Sequence, residues 1–281
     1  MKKEKKVLFY YLGSVLTISA ILEAAVIYYG EAAYNNLVAL LMFLPMVVAI
    51  ILKHIFYRKE SLLGFRIGKP IYYIFAAIIP LGYIGLSYML YWLFVPESFA
   101  GIDVLITPQD SAGSQNLFII IIGFLLSFVS GSILALGEET GWRGLMYPTI
   151  HKLWGRDKAL IISSLVWAGW HLPILVSGQY MAGASLLFAV PMFIIMITAG
   201  TVVVSWVKIK SGSIWPAAIW HGMHNFLDQG VFKPMTVGKD MAYYISETGF
   251  ITTLFAVAIA ALILVYGKFE KSSSDGARGT T

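Results

Sequence analysis

The chain contains no cysteine. Disulfides, thiolate metal ligands and a cysteine nucleophile are therefore excluded from its stability and its chemistry. Charge is almost as scarce, with 12% of the 281 residues charged against 58% hydrophobic. The 20 Lys and Arg are scattered over separate segments rather than gathered on one face, so the net charge of +5 is not the footprint of a nucleic-acid partner.

What is abundant is uninterrupted apolar sequence. Eight stretches stand out: Val7 to Tyr29, Leu37 to Ile55, Ile71 to Val95, Leu117 to Leu136, Ala159 to Val176, Ser185 to Val207, Ile214 to Leu227 and Phe250 to Tyr266. About 20 such residues cross ~30 Å of hydrocarbon as a helix, and a helix satisfies its own backbone where lipid cannot. The expectation is an all-α polytopic membrane protein, one domain over residues 1–281, with about eight transmembrane helices around a polar intramembrane cavity. The first stretch reads as an uncleaved span, because its apolar run is longer than a signal core and Glu23 interrupts the region of a cleavage site. Residues 268–281, which end SSSDGARGTT, are small and polar and are expected to form a disordered cytoplasmic tail.

The basic residues orient this bundle. Placing both termini in the cytoplasm puts Lys2, Lys3, Lys5 and Lys6 inside, together with Lys53, Arg58, Lys59, Arg66 and Lys69. Arg143, Lys152, Arg156, Lys158, Lys208, Lys210, Lys268, Lys271 and Arg278 fall on the same side, which leaves only Lys233 and Lys239 outside. The positive-inside rule favours that arrangement and an even number of spans.

Against this background the polar groups at membrane depth are few and close in sequence. Glu138, Glu139, Arg143, His171, His221, His224 and Asn225 lie in or next to apolar stretches between residues 138 and 225. Ionisable side chains at that depth are costly and mark function by default. Residues four apart share a helix face, so Glu139 can pair with Arg143 while Glu138 points about 100° away. The carboxylate left free can take a proton from water. His221 and Asn225 are also four apart, and an imidazole and an amide on one face can donate two hydrogen bonds to one developing oxyanion. Glu23 is expected to reach the headgroups, and Trp167 and Trp170 to serve packing or the interface. Counting 1.5 Å per residue from the cytoplasmic ends puts Glu138 near the surface, His221 about 10 Å in and His171 ~15–20 Å in, so the cavity is expected to open to the cytoplasm.

These residues resemble the CAAX prenyl-protease and bacteriocin-processing (CPBP, or Abi) family of intramembrane proteases. Its Glu-Glu-x-x-x-Arg motif corresponds to Glu138, Glu139 and Arg143, its aromatic-x-x-x-His motif to Trp167 and His171, and its His-x-x-x-Asn motif to His221 and Asn225. One departure is Trp167, where the family usually has Phe. The resemblance implies a catalytic core over residues 117–228 in which Glu138 and His171 activate the attacking water and His221 and Asn225 hold the oxyanion. It further implies that Glu139 and Arg143 organise the site or contact a substrate carboxylate. The partner would be a peptide or protein, lipidated or plain, cut near the cytoplasmic face of the membrane. Two mechanisms stay open: a metal-free glutamate-type one, and one using zinc on Glu138, His171 and His221, a ligand set zinc accepts. A proton-coupled transporter and a non-catalytic immunity protein are the competing classes.

Overall fold

The computed structural model describes residues 2–58, 63–106, 117–180 and 183–269. Helices carry the architecture among them: α1 (Lys2–Tyr29), α2 (Glu31–Phe56), α3 (Ile71–Phe94), α4 (Leu117–Gly141), α5 (Tyr147–Trp154), α6 (Arg156–Val176), α7 (Leu186–Ser211), α8 (Trp215–Asn225) and α9 (Phe250–Tyr266). Two π-helical stretches extend them. Trp142–Met146 carries α4 straight into α5, and Phe226–Phe232 lengthens α8. Of the expected polar tail, residues 270–281 lie outside the described residues.

Six helical runs among the described residues are long and apolar enough to cross a membrane: α1, α2, α3, the α4–α5 run, α6 and α7. The apolar α9 is shorter, at 17 residues, and α8 reaches its full length only through the π stretch that follows it. The side chains are distributed as lipid requires. Leu187 is 89% exposed and Val265 70%, while Arg143, Thr201 and Ser205 are wholly buried. Lipid tails offer apolar side chains the contacts that water denies them, so helix association leans on packing and polar contacts inside the bundle.

The helices pack into a ring in the order α1, α2, α4, α8, α3, α9, α7, α6 and back to α1. Contacts of α7 with α3 and α8 divide its interior, and the larger compartment lies between α1, α2, α4, α6 and α8. Close approach of α4 and α8 depends on Gly222: a Cβ there would stand 2.6 Å from Ser132 Cα. Gly222→Val should therefore force the two helices apart, and the expected result is loss of a monodisperse peak on size-exclusion chromatography in detergent. A variant that elutes and melts like the wild type would show that this contact does not set the spacing.

Side-chain ties fix the level of the α4–α5 run and of α6 against α1. Lys152 of α5 pairs with Glu4 at 2.5 Å, the Trp142 ring meets the Tyr11 ring edge-on at 5.8 Å, Trp170 of α6 donates to Ser19 Oγ at 2.7 Å, and Gln179 donates to the Ile27 carbonyl at 3.3 Å. Glu138, one turn before Trp142, thus sits level with the middle of the 28-residue α1, about 20 Å from its Lys2 end. That corrects the expectation that Glu138 lies near the surface. The apolar count ended the span at Leu136, but the helix runs on because its charges are satisfied internally and need no water.

Candidate active site

Glu138 and Glu139 occupy the last turns of α4, and Arg143 lies in the π stretch beyond them. All three are buried. The predicted pairing of Glu139 with Arg143 is present, with Nη1 donating to Oε1 at 3.1 Å. The guanidinium also donates from Nη2 to Thr201 Oγ1 at 3.1 Å and lies over the Trp167 ring, 3.9 Å from its centroid. Arg143 is therefore an interior cation rather than a loop charge. The same Glu139 oxygen accepts from His221 Nδ1 at 2.9 Å, so one carboxylate fixes both the cation and the imidazole.

Glu138 is not left free, as spacing alone suggested. Its Oε2 accepts from the indole N–H of Trp167 at 2.8 Å and, more weakly, from that of Trp142 at 3.4 Å. Trp167 thereby does more than pack, which corrects the expectation for it. Phe at this position has no N–H to offer, so the departure from the family pattern adds a hydrogen bond to a buried carboxylate, an interaction stronger than a neutral pair. Trp170 also finds a polar partner, Ser19.

His171 projects from the last turns of α6, where Pro173 lies within the helix. Its Nδ1 is 2.8 Å from the Trp167 carbonyl. A carbonyl only accepts, so Nδ1 carries the proton, and in the neutral ring Nε2 holds the lone pair. Glu138, His171, His221 and Asn225 all line one cavity of about 470 Å³, whose wall includes Leu41, Met42, Leu134 and Ile174. The shared face predicted for His221 and Asn225 is seen in that both line it. Glu23 lines it too and is buried, so this residue is part of the cavity wall and does not reach the headgroups.

A smaller chamber behind the first shares His171, His221 and Asn225 and adds His224 and Glu247. Here lies a polar network that motif spacing missed. Glu247 accepts from Tyr180 Oη at 2.5 Å and from Gln229 Nε2 at 3.2 Å, and stands 3.4 Å from His224 Nε2. Tyr83 Oη and His224 Nδ1 share a further hydrogen bond. Burial pushes the Glu247 carboxyl up, but His224, Tyr180 and Gln229 outweigh it and hold the group down at about 2. Through Tyr180, whose ring stacks on His171 with centroids 5.9 Å apart, this network supports the cavity. Neighbouring Asp228 accepts from Tyr88 at 2.9 Å and from Ser246 at 2.7 Å. A lone Glu in a loop gives no periodic signal; its sequence clue was only that it is a charge just before an apolar run.

Comparison with known proteins bears on the same stretch. A family model described as type II CAAX prenyl endopeptidase Rce1-like matches residues 114–227, which include every residue of the three motifs. CAAX prenyl protease 2 of Methanococcus maripaludis is 27% identical over 142 residues, 48% of this chain and 48% of its own length. The chain thus spans about half the length of that curated relative.

Proposed function

Since residues 114–227 match the Rce1-like CAAX endopeptidase model and the chain is similar over part of its length to a curated CAAX prenyl protease, we propose that it is an intramembrane endopeptidase of the CPBP type. The observation that carries this is the convergence of Glu138, His171, His221 and Asn225 on one cavity inside the bundle. Glu138 takes a proton from a water held between it and the His171 Nε2 lone pair, and the hydroxide attacks the peptide carbonyl. The carbonyl oxygen becomes an oxyanion facing the Asn225 amide and His221, which as an imidazolium donates from Nε2 while its Nδ1–H stays on Glu139, and their mounting on α8 means little reorganisation as charge develops. The proton held by Glu138 then passes to the departing amine, the C–N bond breaks and the carboxyl product forms. Glu139 acts through His221, whose ring it orients at 2.9 Å, and Arg143 fixes Glu139.

The zinc alternative requires Glu138, His171 and His221 to meet at one point. Among the described residues no three His, Asp or Glu side chains converge to hold a metal ion, and no step above runs through one. The apolar wall suits a hydrophobic or lipid-modified segment, in keeping with the relative's name as a prenyl protease.

Purified protein in nanodiscs, offered reporter peptides with and without a C-terminal prenyl group, should release fragments detectable by mass spectrometry. His171→Ala is expected to slow that release by about 10²–10⁴-fold, the range for a positioned acid-base group. Equal rates for the two proteins would remove His171 from the chemistry, and absence of cleavage of either peptide would count against the protease assignment.

A further inference from the structure

The cavity opens at the end of the bundle away from the N-terminus. From its floor at Glu138 its wall rises past His171 to Tyr34, Asn35, Tyr180 and Gln229. Further hollows share those mouth residues and extend the opening to Gly30, Gln179 and Lys233. Each lies where α1 ends, α2 begins, or α6 and α8 have finished, which is the level of Ile27 rather than that of Glu4. Toward the opposite end the floor is sealed. Trp142, Arg143, Leu145 and Met146 are at most 1% exposed, and the Glu4–Lys152 pair ties α1 to α5 beyond them.

Charge distribution runs against this opening. With Arg143 buried and set aside, 14 of the other 16 Lys and Arg among the described residues belong to segments at the end of the bundle that holds Lys2, and Lys233 and Lys239 belong to the mouth end. By the positive-inside rule the sealed end is cytoplasmic. The two expectations drawn from sequence, cytoplasmic termini and a cytoplasmic opening, are therefore incompatible in this fold. The charge count has the firmer physical basis, because the cytoplasmic opening rested on a depth for Glu138 that the helix ties correct.

We propose that the cavity receives its substrate from the non-cytoplasmic face of the membrane, so that its substrate class is a peptide or juxtamembrane segment exposed outside the cytoplasm. This rests on the endopeptidase reading of the cavity. Asn35, Gln179 and Gln229 at the mouth offer amides to an extended backbone, and the apolar wall below takes the side chains or lipid that follow.

Because the natural chain has no cysteine, single cysteines report sidedness without background. In intact cells, a membrane-impermeant maleimide should label Asn35→Cys but should reach Lys5→Cys and Lys158→Cys only after lysis. The reverse pattern would overturn the proposal. A soluble, impermeant reporter peptide that the detergent-solubilised enzyme cleaves should also be cut by right-side-out membrane vesicles, and by inverted ones only once detergent opens them. Cleavage by sealed inverted vesicles alone would overturn the proposal too. Labelling needs no activity, so a failure of the endopeptidase assignment is told apart from a failure of the orientation.

Discussion

Glu138→Gln is expected to lower peptide cleavage by about 10³-fold or more while leaving the bundle folded. The amide keeps the size of the carboxylate, and its oxygen can still accept from Trp167 and Trp142. What it loses is the capacity to take a proton from water. Initial rates on a reporter peptide, measured beside thermal unfolding in the same detergent, separate the two effects. An active Glu138→Gln protein with a wild-type melting profile would require another base.

Arg143→Met should give the largest stability loss of any single substitution in the site, about 3–5 kcal/mol, because it leaves Glu139 as a buried charge without its cation. The pair is 1% and 0% exposed, so water cannot compensate. Removing both charges is a different perturbation. A Glu139→Gln, Arg143→Met protein should recover most of the stability, since a buried ion pair is often no more stabilising than a neutral replacement of similar volume. Reversible unfolding in mixed micelles would measure both. A single variant within about 1 kcal/mol of wild type would mean that the arginine neutralises little. Activity should remain low in the double variant, because His221 loses the carboxylate that orients it.

The helical plan was legible because lipid imposes length and apolarity on every span, and the Glu139–Arg143 pair was legible because a helix brings residues four apart together. Depth was harder to read. An apolar run marks where lipid contact ends, yet α4 continues beyond Leu136 with its charges facing inward, so Glu138 lies deeper than the run implied. Glu23 illustrates the same limit: an acidic residue near the end of a span looks like a headgroup contact until the neighbouring helices are known. The role of Trp167 depends on a neighbour 29 positions away, and that of Glu247 on Tyr180 and His224 from distant segments. Such contacts follow from the ring order of the helices, which no local pattern encodes.

The π turn at Trp142–Met146 has a consequence for how this protein can change. Its widened turn, closed by the Tyr147 N–H on the Trp142 carbonyl, accommodates one residue more than a regular α-helix would. Deleting one of its five residues would return the stretch to regular winding with the flanking halves still in phase, whereas a deletion elsewhere in the α4–α5 run would rotate all that follows by about 100°. Lys152 would then swing away from Glu4, and the brace between the first helix and the floor of the cavity would be lost. The segment is thus a slack turn between two halves of one long helix: the half before it presents carboxylates to the cavity, and the half after it grips α1. Substitutions can accumulate on either half, and the widened turn between them is where the spacing can lose a residue without turning one half against the other.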